Sequence, residues 1–404
     1  MKKYKMRMPK RIDKINSLGK FAVHVFCIAA YFVFSELVLN FTVFRGVKSD
    51  FDYYENLVFS KEESESAEKF KRDLISLGDR VEGIPGTIIF KYKPAERESF
   101  TLNSDGFRNK EFTKKEKDEF RIAFFGDSKI FGFAVQNDRT IPAMVEKNLR
   151  EHFHKNITVL NMGVEALDMQ RELATARFYL EKIEPDMLIF YSLVIDINSA
   201  FSAGNTDWEP FKGGEKLIPE IELKEEDKTI FDKVRLLNTL KQTFTSDAEK
   251  ILRQFSGAEI PSLPMSPQQT AFAGEFPEAY LGRIRAATDF FDKKGIVSLF
   301  FLQPLIQIKR PLSENEKLNL YRNEMYSPGI NLFAVRCTEG VKNALKTGDY
   351  DKNIIDHSNL FQNYPDTVFY DGIHYTPKAL KLEADKMSED IIKILESEKS
   401  EKLK

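Results

Sequence analysis

From about residue 99 the chain alternates short, wholly apolar runs with longer stretches whose apolar residues recur at helical spacing. Arg121–Phe125 is a first apolar strand ending in Gly126, and Ile157–Leu160 a second. Asp186–Tyr191, Gly295–Leu302 and Asn353–Asp356 read as three more. Between them the 3.6-residue period predicts helices over Ile141–Phe153, Leu173–Ile183 and Ala279–Lys293, with a closing helix over Pro377–Leu395. Strands apolar on both faces and separated by helices predict an α/β domain over 99–396 built on a doubly wound parallel sheet. Such sheets bind ligands beyond the carboxyl ends of their strands. Residues 200–275 break the rhythm with Trp208, Gly213-Gly214 and the proline-rich stretch Pro261–Pro267. They read as an insertion over the strand ends, a lid or a substrate wall.

The start of the chain follows a different pattern. In the expected cytoplasmic tail, residues 1–20, eight Lys and Arg face the single acid Asp13. The apolar run Phe21–Leu39 follows, close to the ~20 residues needed to cross a bilayer as a helix. A transmembrane signal-anchor over 21–43 is expected, with the N-terminus cytoplasmic by the positive-inside rule. A cleaved signal peptide competes, but no small-x-small site follows the run and no lipobox ends at Cys27. Either reading puts the remainder outside the cytoplasm, periplasmic or extracellular. Residues 45–97 look like a polar, partly helical juxtamembrane segment, with Lys61–Lys71 a solvated charge run.

Composition adds mainly exclusions. Sixty Lys and Arg against sixty-two Asp and Glu leave no basic field for nucleic acid. Two cysteines, Cys27 and Cys337, exclude a disulfide scaffold and a four-cysteine zinc site. The histidines and carboxylates show no recognised metal-ligand spacing, and there is no P-loop or dinucleotide fingerprint. No cofactor and no metal is called for.

Three short segments carry candidate chemistry. Gly126-Asp127-Ser128 ends the first strand, where a sharp turn presents a serine hydroxyl and its own N–H above the sheet. Asp371-Gly-Ile-His374 precedes the last helix; Asp371 can hold one imidazole nitrogen of His374 while the other takes a proton from Ser128. Asn161-Met-Gly163 follows the second strand, where Gly163 can offer an N–H to an oxyanion. Each alone is equally readable as a turn. Together they fall at three strand ends that one pocket can collect.

With these segments in this order, residues 99–395 resemble the SGNH (GDSL-type) hydrolase family, exported membrane-anchored bacterial type, whose fold is flavodoxin-like. Gly126-Asp127-Ser128 with Phe131-Gly132, Asn161-Met-Gly163 with Gln170, and Asp371-x-x-His374 with Tyr375-Thr376-Pro377 match the first, second and fifth family blocks. Asn103–Arg108 is similar to the segment that precedes the first block. The resemblance implies a Ser128 nucleophile, a His374 base oriented by Asp371, and an oxyanion hole from the Ser128 and Gly163 N–H groups. One block departs. The family's Gly-x-Asn-Asp is here Leu193-Val-Ile195-Asp196, so an isoleucine stands where the third oxyanion donor belongs. Losing such a donor costs on the order of 10²–10³ in rate. Asn198 is the nearest amide available to replace it. Lys129 stands where an aromatic is usual; it either attracts an acidic substrate or, more simply, lies in solvent. Asp356-His357 is read as a surface pair in preference to a site-lining one, and His152 and His154 as surface residues.

The function this predicts is a membrane-anchored extracytoplasmic serine esterase or deacetylase acting on an acyl ester, such as the O-acetyl groups of a cell-envelope polysaccharide. Its expected partners are an acyl-ester or acetylated glycan substrate and the membrane. Acyl transfer to a sugar hydroxyl on the same triad is a variant. A catalytically degenerate fold that binds a glycan or protein is the alternative, and Ile195 is its case.

Overall fold

The computed structural model describes residues 61–77, 81–203, 263–347 and 353–397. The expected tail 1–20, the membrane span 21–43 and residues 204–262 of the insertion lie outside the described residues. Among the described residues no helix is long and apolar enough to cross a membrane.

Helix α1 (Lys61–Ser76) leads into two small hairpins, β1 (Val81–Gly83) with β2 (Phe90–Tyr92) and β3 (Ala95–Glu96) with β4 (Thr101–Leu102). Then come β5 (Phe120–Gly126), the single turn α2 (Ser128–Phe131), α3 (Ile141–Phe153), β6 (Ile157–Asn161), α4 (Met169–Ile183), β7 (Met187–Ser192) and α5 (Val194–Ala203). Next come α6 (Pro267–Asp292), whose first turns fall within the expected insertion 200–275, β8 (Val297–Leu302), α7 (Glu314–Tyr326), α8 (Ile330–Thr347), β9 (Ile354–Asp356) and α9 (Pro377–Ser397).

The five strands from β5 to β9 form one parallel sheet in the order β6-β5-β7-β8-β9. Renumbered within the sheet this is 2-1-3-4-5, the flavodoxin-like doubly wound order, whose direction of winding reverses between β5 and β7. Every residue of β5 and of β7 is buried. Alternate side chains feed two cores: Ala123, Phe125, Leu188 and Phe190 join one, and Ile122, Phe124, Met187 and Ile189 the other. The first core also holds residues of α4, α6 and α8, and the second residues of α3 and α9, so helices cover both faces. Burial on both sides is why these strands read as continuous apolar runs.

The described residues before 99 contribute to this core. Lys61–Lys71 is not a solvated charge run but most of α1, and Ala67, Phe70 and Leu74 on one face of it are buried. The Phe70 ring packs on Phe100, Phe131 and Phe133 at centroid distances of 5.3, 6.3 and 5.5 Å. Asp73 accepts the N–H and O–H of Ser99 at 2.9 and 2.7 Å. The high charge of the segment hid an apolar stripe at i, i+3, i+7 spacing. Phe70→Ala should therefore cost about 3–5 kcal/mol of stability, read from urea unfolding of the full-length chain. A change within about 0.5 kcal/mol, as for an exposed residue, would contradict this packing.

Candidate active site

Ser128 sits at the switch point of the sheet, on α2, directly beyond β5. The turn leaves no room for a side chain at Gly126, where an added Cβ would lie 2.4 Å from Cγ1 of Ile130. Asp127 caps the turn: its Oδ1 accepts the Lys129 N–H at 2.8 Å. Its Oδ2 accepts from the Lys129 ammonium at 2.9 Å and from the Gln303 amide at 3.1 Å. Lys129 is thus neither in solvent nor available to an acidic substrate, since its side chain is 0% exposed. Gln303 Oε1 accepts a further bond from its ammonium at 3.3 Å, and the Tyr375 ring lies 5.5 Å away. Acceptors gathered at the strand ends make that burial tolerable.

His374 reaches Ser128 from the other end of the chain. The Ser128 hydroxyl and His374 Nε2 are 2.7 Å apart, and His374 Nδ1 lies 2.7 Å from Asp371 Oδ2. An ionised Asp371 fixes the proton on Nδ1, so Nε2 accepts from the serine. Asp371 Oδ1 accepts the N–H groups of Ile373 and His374 at 2.7 and 2.6 Å. Burial alone would raise the Asp371 carboxyl, but the facing imidazole and these bonds outweigh it and hold it below the ordinary carboxylate range. The imidazole stacks on Phe133 at 4.4 Å, which fixes the ring plane.

The expected oxyanion donors are only partly free. The Ser128 N–H makes no hydrogen bond to a described residue. The Gly163 N–H, by contrast, donates to Asn161 Oδ1 at 3.0 Å in an Asx turn that closes the end of β6. Gly163 packs so tightly on α2 that an added Cβ would lie 2.4 Å from the Phe131 nitrogen. Asn161 is tied in turn to the Ile130 carbonyl at 2.8 Å. Asn198 lies on α5 and lines a cavity with Leu305, Asn323 and Ile373, whose walls include neither Ser128 nor Gly163. Ile195 is the second residue of the same helix. Leu193 holds φ +137°, a backbone region that glycine adopts without strain, so the turn shape persists without the glycine. Asp196 is fully buried, accepts the Met169 N–H at 3.0 Å and lies 3.9 Å from Arg283. Burial first, and the nearby Asp168 second, push its carboxyl up to about 7.

Several residues that hold the site escaped the sequence reading. Gln303 Nε2 also donates to the Tyr191 carbonyl at 2.7 Å, and its Oε1 accepts the Val194 N–H at 3.1 Å, so one amide ties the ends of β5, β7 and β8. On α7, Glu316 accepts the N–H groups of Val368 and Phe369 at 2.9 and 3.2 Å and pairs with the buried Lys309. Asn315 and Asn319 donate to the Tyr370 carbonyl at 3.1 and 3.3 Å. Together they fix the loop that carries Asp371 and His374. The signal that could have found α7 is its capping box, Ser313-x-x-Glu316. Arg108 donates to the carbonyls of Phe131, Gly132, Val135 and Ser99.

His357 is not a surface residue. Its Nδ1 meets Glu383 at 2.7 Å and its Nε2 meets Asp390 at 3.0 Å, both on α9, and it is 3% exposed. Burial lowers the imidazole pKa, but the bonds and charge of Glu383, then of Asp390, outweigh it and the net shift is upward. A raised imidazole pKa stabilises the fold fully below the unfolded value, about 6.5, and loses that contribution as pH rises through the folded value. The stability gap between wild type and His357→Asn should thus be greatest near pH 5.5, about 3 kcal/mol, and shrink toward pH 9. A gap independent of pH in urea titrations would show that the buried imidazole is neutral throughout.

No protein-family model matches the sequence, and no curated protein does. Among solved structures the chain is similar to the acetyl xylan esterase AlAXEase, at 13% identity over 67% of this chain and 100% of that one, with a TM-score of 0.34. It is similar also to Est24, a carbohydrate acetylesterase from Sinorhizobium meliloti, at 10% identity over 68% and 99% of the two chains, TM-score 0.35. A third is a catalytic mutant of Axe2, an acetylxylan esterase from Geobacillus stearothermophilus, at 13% over 66% and 92%, TM-score 0.33. Likeness this distant transfers no activity, and the functional reading rests on the site's own geometry.

Proposed function

We propose that the chain is a serine ester hydrolase of the SGNH type, an esterase or deacetylase. The observation that carries the reading is the unbroken series Ser128–His374–Asp371, two contacts of 2.7 Å at the carboxyl edge of the sheet. Ser128 Oγ attacks the acyl carbonyl while its proton passes to His374 Nε2, and Asp371 stabilises the imidazolium. The Ser128 N–H faces the developing oxyanion. His374 then protonates the departing alkoxide, leaving an acyl-serine, and next takes a proton from water as it attacks that ester. Expulsion of Ser128, reprotonated by His374, releases the acid and restores the starting state. A sugar hydroxyl in place of that water would give acyl transfer instead.

The basic flank and apolar run at 21–43 support an anchored enzyme with its site outside the cytoplasm, acting on acyl esters such as the O-acetyl groups of an envelope polysaccharide. A second reading, a binding fold without turnover, draws on two observations: Ile195 offers no side-chain donor, and the Gly163 N–H is already bonded.

Full-length chain exposed to a fluorophosphonate probe separates the two. Labelling confined to Ser128, absent in Ser128→Ala and at least about 10³-fold slower in His374→Ala, is the outcome for an enzyme. A folded protein that does not label would be the binding fold. Gly163→Ala should slow labelling about 10²-fold, because the new methyl displaces α2 and with it the nucleophile. Labelling at the wild-type rate would show that α2 is free to shift without moving Ser128.

A further inference from the structure

Beside the Ser128–His374 contact, at the carboxyl ends of β7 and β8, lies a cavity of about 280 Å³. It is closed by α5, the turn after β8, the ends of α7 and α8, and the loop at 369–373. Two of its wall residues, Gly372 and Ile373, stand between Asp371 and His374, so an occupant touches the loop that carries the acid–base pair. The volume is near the lower end of the range for small-molecule sites, roughly 300–1,000 Å³, enough for one ring-sized group.

The wall chemistry is selective. No ionisable side chain lines the cavity among the described residues, yet three carboxamides do: Asn198, Gln307 and Asn323. The side-chain amides of Asn198 and Asn323 make no hydrogen bond to a described residue. Gln307 already donates to Asn331 at 3.3 Å. Asn323 lies directly against Gly372, where an added Cβ would come within 2.7 Å of its Oδ1. Ser202 and Ser327 also line the cavity, and apolar residues such as Ile197, Leu305 and Phe369 make up most of the remaining wall.

A carboxamide both donates and accepts, and so does a hydroxyl, so a polyol can satisfy both halves of each amide. An anion supplies acceptors only. A hydrocarbon chain would strand the amides of Asn198 and Asn323 without partners, the arrangement by which a polar site rejects an apolar ligand. We propose that this cavity binds a neutral sugar ring of the substrate, with Asn198 and Asn323 as its specificity-determining residues. The inference rests on the ester-hydrolase reading and narrows its substrate to an acylated neutral saccharide, held so that an ester on it meets Ser128.

The test is equilibrium binding by saturation-transfer NMR on the full-length chain, in a detergent without a sugar headgroup. Xylotriose, cellotriose and chitotriose triacetate serve as neutral probes, trigalacturonate as the acidic one and octanoate as the apolar one. The expected result is saturable binding of at least one neutral trisaccharide at about millimolar concentration, with little for the other two probes. Asn323→Leu and Asn198→Leu should each weaken it about tenfold or more. The two substitutions lie on different helices, so the second carries the test if the first does not fold. Octanoate binding in preference to sugars, no neutral trisaccharide bound, or sugar binding indifferent to both substitutions would overturn the proposal. Fluorophosphonate labelling of the wild type is scored separately. Labelling without sugar binding removes the sugar site and leaves the esterase; sugar binding without labelling removes the esterase and leaves a glycan-binding fold.

Discussion

The contact between Ser128 and His374 joins residues 246 positions apart, and neither sits on an element long enough to hold itself in place. Ser128 opens a helix of four residues, and His374 lies on the short loop closed by the isolated Phe369–Tyr375 bridge, just before the last helix. A 2.7 Å contact between two such segments persists only if both loops are fixed from below. Much of the polar burial at the carboxyl edge of the sheet does that work. Arg108 spreads its guanidinium over carbonyls on the Ser128 side, and Glu316, Asn315 and Asn319 hold the backbone on the His374 side. Gln303 ties Asp127 to Tyr191 and Val194, across three strand ends.

Buried charge is an expensive way to build a loop, and its use here says what the structure must achieve. The Asp127–Lys129 and Lys309–Glu316 pairs are both sealed from solvent. Replacing such pairs by apolar residues is often neutral or stabilising, whereas removing one partner costs about 3–5 kcal/mol. Stability alone therefore gives little reason for them. Each instead presents acceptors to backbone or amide N–H groups that would otherwise be orphaned, and so fixes one loop conformation. Fixed geometry is what nucleophile activation needs, since a shift of about 1 Å at the reacting atoms can cost 10²-fold in rate.

This division explains what could be read from the sequence. The five sheet strands and the helices α3, α4, α6 and α9 are carried by local apolar pattern, and the predicted Ile141–Phe153 coincides with α3. The Ser128, Asp371 and His374 motifs are also local, each lying within a few residues of a strand or helix end. What escaped is long-range. Lys129 looks like a surface lysine until Gln303, 174 residues on, supplies an acceptor. His357 looks exposed until α9 brings Glu383 and Asp390 to it. Helices α7 and α8, between the last two predicted strands, were not read from the pattern, and α1 was masked by its own charge.

The oxyanion side of the site follows from the same long-range bonding. Leu193 keeps a positive φ at a cost on the order of 1–3 kcal/mol, so the chain pays strain to hold the turn after β7 in a glycine-like shape. That turn delivers the Val194 N–H to Gln303 and leads into α5, which carries Asn198 to the wall of the neighbouring cavity. Gly163 is kept small by α2, and its N–H is spent on Asn161. For the proposed esterase, this geometry would favour placing the substrate over stabilising its transition-state charge. An enzyme built this way draws on binding energy from the rest of the substrate, because remote contacts are what remain to offset a sparse oxyanion hole. Small activated esters, which lack those contacts, are then the substrates it should handle least efficiently.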